Sequence, residues 1–219
     1  MRITQLQRII GEGVGYIRKL KFLSAAAPST PTDGEMWSDS TQKTLMMNVG
    51  GITQYSANCL FSQTNSVTVA NTVTETAISG TGIGTLTLPA NFFVVGKTIT
   101  LKLMGFHSST ASVTIRVKIK FGSTVTLDTT ALASKTDTNA MIEVNGMITC
   151  RTTGVSGTVI GQGFYSEFGT TVDDFQMVNT ATTTIDTTAS QAVSVSVQWG
   201  TASASNTITS TNMILEVLN

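Results

Sequence analysis

The residues able to do chemistry are few in this chain and lie far apart. The single histidine, His107, stands beside Ser108, Ser109 and Thr110, a base next to three hydroxyls. A hydrolytic triad needs a nucleophile on a strained elbow, a positioned base and an acid. The nearest string to that elbow, Gly154-Val155-Ser156-Gly157, is one residue short of Gly-x-Ser-x-Gly. His107 therefore reads as a surface or interface residue at the end of a strand. Val95-Gly96-Lys97-Thr98 ends like a phosphate-binding loop, but such a loop needs a glycine five residues before the Gly-Lys pair and a helix after it. Position 91 is asparagine and Thr98 opens an alternating strand pattern, so this string reads as a turn leading into a strand. The adjacent carboxylates Asp173 and Asp174 point to opposite faces of a strand and do not by themselves flank one glycosidic bond. Cys59, Cys150 and one histidine are too few for a His/Cys metal site or a disulfide framework. No catalytic residue, metal or cofactor is expected, and no enzyme activity.

The densest cluster of contact-making side chains is Gly163 to Phe175, which holds Phe164, Tyr165, Phe168 and Phe175 with Glu167, Asp173 and Asp174. Aromatic faces stack on sugars or anchor a protein partner, and carboxylates accept hydrogen bonds from hydroxyls. On that reading Tyr165, Glu167, Asp173 and Asp174 form a surface for contact with a sugar or a protein partner. The other reading places the phenylalanines in the core and leaves the acids solvated.

The elements that carry these residues are strands. Val113, Ile115, Val117, Ile119 and Phe121 alternate with Thr114, Arg116, Lys118 and Lys120, a period of two that puts the apolar set on one face. Ile99, Leu101 and Leu103 repeat the pattern, and so do Val193, Val195, Val197 and Trp199. About forty threonines favour strands further, and from about residue 60 onward no run is convincing as a helix of more than a turn or two. The expectation is an all-β fold, an antiparallel jelly-roll β-sandwich over 59–219. Residues 28–58 form a linker and a small β-meander: Pro28, Pro31 and Asp33-Gly34 mark turns, and Gly50-Gly51 folds Thr44–Val49 back onto Ile52–Tyr55 around Trp37 and Tyr55.

Composition narrows the function classes. Charged residues are 12% of the chain, with 13 cationic against 13 acidic side chains, half the usual density. A mean hydropathy of +0.19 argues against disorder, and a pI near 6.6 argues against nucleic-acid binding. No apolar run is long enough to insert in a membrane, and the N-terminal segment lacks the unbroken apolar stretch of a signal peptide. The balance of charge is local. Residues 1–27 carry Arg2, Arg8, Arg18, Lys19 and Lys21 against Glu12, leaving an acidic excess in 28–219. Ile3, Leu6, Ile9, Ile10, Ile17 and Leu20 give that arm an apolar stripe that suggests an amphipathic helix, weakened by three glycines. With Arg8, Arg18, Lys19 and Lys21 the stripe is the candidate docking anchor. A weakly charged chain with zero net charge tends to associate, so a subunit of a larger assembly is expected.

Two stretches resemble bacteriophage virion proteins. Pro31-Thr-Asp-Gly-Glu-Met-Trp-Ser-Asp, followed by Lys43-Thr-Leu and Gly50-Gly51-Ile-Thr, resembles a small module of phage head and tail fibres, with Gly50-Gly51 in place of the usual Asn-Gly and Tyr55 as the closing aromatic. Leu88-Pro-Ala-Asn-Phe-Phe-Val-Val-Gly-Lys-Thr-Ile-Thr-Leu-Lys and Gln198-Trp199-Gly200 with its Thr/Ser-rich continuation resemble the jelly-roll heads of phage structural proteins. The resemblance implies a homotrimeric fibre without enzyme activity, synthesised in the bacterial cytoplasm and carried on the virion. Residues 1–27 would meet capsid, portal or tail proteins, and the β-domain would project towards a host glycan or protein. A capsid decoration or cement protein and a carbohydrate-binding β-sandwich are the alternatives.

Overall fold

The computed structural model describes residues 24–25, 28–39, 44–55, 59–110 and 113–218. Regular structure among them is all β, with no helix. The chain divides into two compact units, Met1–Ser56 and Ala57–Asn219.

In the first unit, β1 (Ser24–Ala25), β2 (Met36–Asp39), β3 (Thr44–Val49) and β4 (Ile52–Tyr55) form one sheet in chain order. The β3–β4 turn is Gly50-Gly51, both at positive φ, the conformation that matches the twist of a two-residue hairpin and that glycine adopts without strain. Asp33 fastens this turn by accepting a hydrogen bond from the Gly50 amide at 2.7 Å. Trp37 and Met46 face each other across β2 and β3 and are buried, as the meander reading expects. β1 pairs with β2 in parallel, so Ser24 and Ala25 belong to this sheet. The candidate anchor residues Ile3, Leu6, Arg8, Ile9, Ile10, Ile17, Arg18, Lys19, Leu20 and Lys21 lie outside the described residues, as does the side chain of Tyr55.

The second unit contains β5 (Cys59–Gln63), β6 (Val67–Ala70), β7 (Thr76–Ala77), β8 (Gly82–Gly84), β9 (Thr87–Leu88), β10 (Thr98–Ser109), β11 (Thr114–Phe121), β12 (Thr124–Asp128), β13 (Leu132–Ala133), β14 (Asp137–Thr152), β15 (Gly157–Phe168), β16 (Val172–Val178), β17 (Thr183–Ile185), β18 (Gln191–Trp199) and β19 (Thr207–Val217). Among the described residues they build two open sheets. The larger has nine strands in the order β16-β15-β14-β10-β19-β5-β8, with β17 on β15 and β6 on β19. The smaller has six, β12-β11-β18-β7 with β13 on β11 and β9 on β18. All of these pairings are antiparallel.

Period-two alternation decides what each sheet buries. Ile99, Leu101 and Leu103 of β10 and Ile142, Val144 and Ile148 of β14 line the inner face of the larger sheet. Ile115, Val117 and Ile119 of β11 and Val193, Val195, Val197 and Trp199 of β18 line that of the smaller. The two faces meet at Gly146, where an added Cβ would lie 2.6 Å from Ile119 Cδ1 and 3.2 Å from Leu127 Cδ1. The glycine admits side chains from the facing sheet. Phe93 sits edge-on to both Phe92 and Phe121 and closes one side of this core.

Candidate functional site

Two features of the second unit hold side chains that the core does not explain: the outer face of the larger sheet, and a polar cluster buried beneath it.

The outer face follows from register. Directly opposed residues share a face, so β16, β15, β14 and β10 align Val172, Phe168, Met141 and Phe106 in one row. Two residues further along the strands the row is Asp174, Ser166, Glu143 and Met104, and beyond it Gln176, Phe164, Asn145 and Lys102, which β19 continues with Ile214. Val172, Met141, Phe106, Phe164 and Ile214 are 37–60% exposed. Lys102 Nζ contacts Glu143 Oε1 at 2.9 Å, so the central charges of the face are mutually compensated. At its far end a shallow groove of about 200 Å³ is lined by Met147, Thr149, Arg151, Ile160, Gly161 and Gln162. One apolar row beside two mixed rows, with Phe164 and Ile214 exposed among polar neighbours, suits contact with another protein surface.

The smaller sheet presents the opposite chemistry. Arg116, Lys118 and Lys120 project from β11, but each meets a carboxylate. Arg116 Nε donates to Asp128 Oδ1 at 2.9 Å, while Lys118 and Lys120 reach Glu75 at 2.5 and 2.8 Å. Hydrogen bonds from Lys118, then Lys120, hold the Glu75 carboxyl down at about 2. Two carboxylates thus offset most of the three-cation stripe that alternation reveals in the sequence.

The buried cluster corrects the sequence reading of His107. β10 runs on to Ser109, and both β14 and β19 pair with it past this point, so His107 lies opposite Ala140 and Ile208 with no exposed surface. Its Nε2 is 3.9 Å from Glu167 Oε2. Glu167 Oε1 accepts hydrogen bonds from Tyr165 Oη at 3.0 Å and Ser134 Oγ at 3.4 Å, and Ser134 Oγ is 3.0 Å from Ser109 Oγ. Burial pushes the His107 imidazolium towards its neutral form, and burial pushes the Glu167 carboxyl up. Tyr165 is shifted well up for the same reason.

The proposed contact surface at Tyr165, Glu167, Asp173 and Asp174 therefore separates into two sets. Tyr165 and Glu167 are buried and are removed from any surface. Their odd-numbered positions in β15 face inward, and the Tyr165 ring stacks on Phe175 at 6.1 Å. Asp173 pairs with Lys135. Asp174 lies on the outer face and accepts a hydrogen bond from Ser166. The same parity turns Phe164 outward, against the expectation that it is core. The contact-making residues that the sequence reading missed are Phe106, Met141 and Ile214. The alternation that buries Leu101 and Leu103 already turns Phe106 outward, but assembling the row required strand order.

Val95-Gly96-Lys97-Thr98 is a turn into β10, with Gly96 at positive φ and Lys97 Nζ 4.4 Å over the Phe92 ring. Cys59 and Cys150 are free thiols. Among the described residues no three His, Cys, Asp or Glu side chains gather as a metal-binding group, and no helix is long and apolar enough to cross a membrane. No family model matches the chain, and no curated protein is detectably similar to it in sequence.

Proposed function

We propose that this chain is a structural subunit of a bacteriophage virion, a homotrimeric head or tail fibre with a jelly-roll body, attached to the particle through residues 1–27. It acts by assembly and surface binding and carries out no reaction. The observation that supports this reading best is the apolar row Val172, Phe168, Met141 and Phe106 on the outer face of the nine-stranded sheet, with Phe164 and Ile214 exposed two rows away on the same face. Exposed large apolar side chains gathered on one sheet face mark interaction surfaces, and permanent homo-oligomer interfaces are more apolar than the rest of a surface. The Lys102–Glu143 pair brings its own counter-charge, which limits the cost of burying it.

Light scattering on the purified chain at micromolar concentration should give a mass near three times 23.1 kDa. A mass of one chain under those conditions overturns the trimer. An antibody to the chain should label intact particles at a defined position on head or tail, and particles that carry none of the protein would overturn the virion assignment.

A further inference from the structure

His107 is the only histidine in the chain, and it faces Glu167 inside the β-body with neither residue more than 1% exposed. Nδ1 and Nε2 of His107 and Oε2 of Glu167 have no hydrogen-bond partner among the described residues. A buried polar atom without a partner is costly. Nε2 and Oε2 are 3.9 Å apart, the separation of an ion pair and not of a hydrogen bond, and with one titratable proton between the two residues the pair carries no net charge whichever of them holds it. Adding a second proton leaves a buried cation, and removing the one leaves a buried anion.

The surroundings make this pair a fastening. Ser134 Oγ donates to Glu167, and Ser109 joins Ser134 and the Lys135 carbonyl. The segment between β13 and β14 is thereby tied to β10 and β15. The charged and titratable groups facing the pair are Tyr165 of β15, Asp137 of β14, Asp173 of β16 and Lys135 of the tied segment. Asp173 is matched by Lys135. Asp137 accepts hydrogen bonds from the amide and hydroxyl of Thr170. Neither acid is hydrogen-bonded to His107. On the other side of His107, β19 places Ile208 opposite it.

We infer that His107 and Glu167 form a one-proton latch that closes the corner made by residues 132–137 and 165–173 most tightly at mildly acid pH, and loosens it both in stronger acid and in alkali. This inference is independent of the proposed function. The sign follows from proton counting. Once the corner opens and water enters, glutamate and histidine return to ordinary pKa values of about 4.3 and 6.5. Between those values the open corner holds about one proton, as the closed one does, so opening is insensitive to pH. Below about 4.3 the open corner binds two protons against one. Above about 6.5 it binds none against one. Each side therefore gains about tenfold in opening per pH unit, until the closed pair itself changes charge.

Amide hydrogen exchange on the full chain tests this, with intrinsic rates divided out and residues 132–137 and 165–173 followed from pH 3.5 to 8.5. A protection maximum near pH 5–6 is expected, with about tenfold loss per pH unit beyond it on each side; Val117 and Val197 in the smaller sheet, which lie beside the Glu75 cluster, should stay flat on the alkaline side. His107→Gln should abolish the acid limb and keep the alkaline one. Glu167→Gln, which preserves an acceptor for Tyr165, should abolish the alkaline limb. A flat profile in the unaltered protein, or limbs that survive both substitutions, overturns the latch. If either variant fails to fold, the imidazole resonances of the sole histidine decide. A His107 that titrates in the folded protein with an ordinary midpoint overturns the inference, and one that stays unchanged through pH 6.5 while the corner remains protected upholds it.

Discussion

Glu75 shows what one carboxylate can do when a sheet brings its cations close. It precedes β7 and accepts from Lys118 Nζ, Lys120 Nζ and Ser196 Oγ, so three hydrogen bonds favour its ionised form. With its pKa held at about 2 in the folded chain and near 4.3 when unfolded, its contribution is present above the unfolded value. That contribution is lost as pH falls from there through about 2. Glu75→Gln should therefore cost about 1.5–3 kcal/mol at pH 7, the range for hydrogen bonds to charged groups. Urea unfolding of the two proteins should converge as pH falls from 5 to 2, and a difference constant over that range would refute the ion-pair account. The Glu75 cluster was not legible in the sequence, because Lys118 and Ser196 come from far along the chain. For His107 the alternation of Ile99, Leu101 and Leu103 already gives the inward parity, but not that β10 runs this far between β14 and β19, which is what buries it.

At the scale of the element the sequence was more informative. The alternation in 113–121 and 193–199 predicts which residues of β11 and β18 face inward, and the buried sets agree. Gly50-Gly51 likewise marks the β3–β4 turn. Residues 163–168 were harder because both parities carry aromatics, Phe164 and Phe168 on one face and Tyr165 on the other. Periodicity then gives no preference, and pairing with β14 and β16 decides. Glycine positions carry a related lesson. Gly146 is where two sheets touch, and Gly146→Ala would press on Ile119 Cδ1, the flexible end of a side chain. A cost of about 1–3 kcal/mol is expected from overpacking, and Ile119→Val, which removes that methyl, should recover a large part of it in the double variant. Gly105 differs, since its added Cβ would lie 1.9 Å from the Thr209 carbonyl oxygen, at the shift in register between β10 and β19. Backbone cannot yield as a side-chain tip does, so Gly105→Ala should be the more damaging change, with no side-chain rescue. Thermal melts of the four proteins check the order, and equal losses for the two alanine variants would contradict it.

For the whole molecule, zero net charge conceals two different distributions. Residues 1–27 hold five cations against one acid, and 28–219 hold eight against twelve. Within the β-body five cations are matched locally: Arg116 with Asp128, Lys118 and Lys120 with Glu75, Lys102 with Glu143, and Lys135 with Asp173. An assembly built through the outer face of the larger sheet would then be held by apolar burial and not by opposite fields. That difference is measurable, because exposed charge interactions are screened by salt while apolar burial is not. The trimer mass should be unchanged from 0.1 to about 1 M NaCl, a range over which the screening length falls from about 10 to 3 Å. Phe106→Asp and Ile214→Asp each place a carboxylate among the exposed rows and away from the inner core. Either should reduce the mass to one chain while the far-ultraviolet circular dichroism of the β-body stays the same. Val155→Asp, on the exposed connection between β14 and β15, should leave both mass and spectrum as they were. A folded Phe106→Asp protein that remains trimeric would move the interface off this face. Dissociation by salt alone would assign the assembly to the charged arm instead.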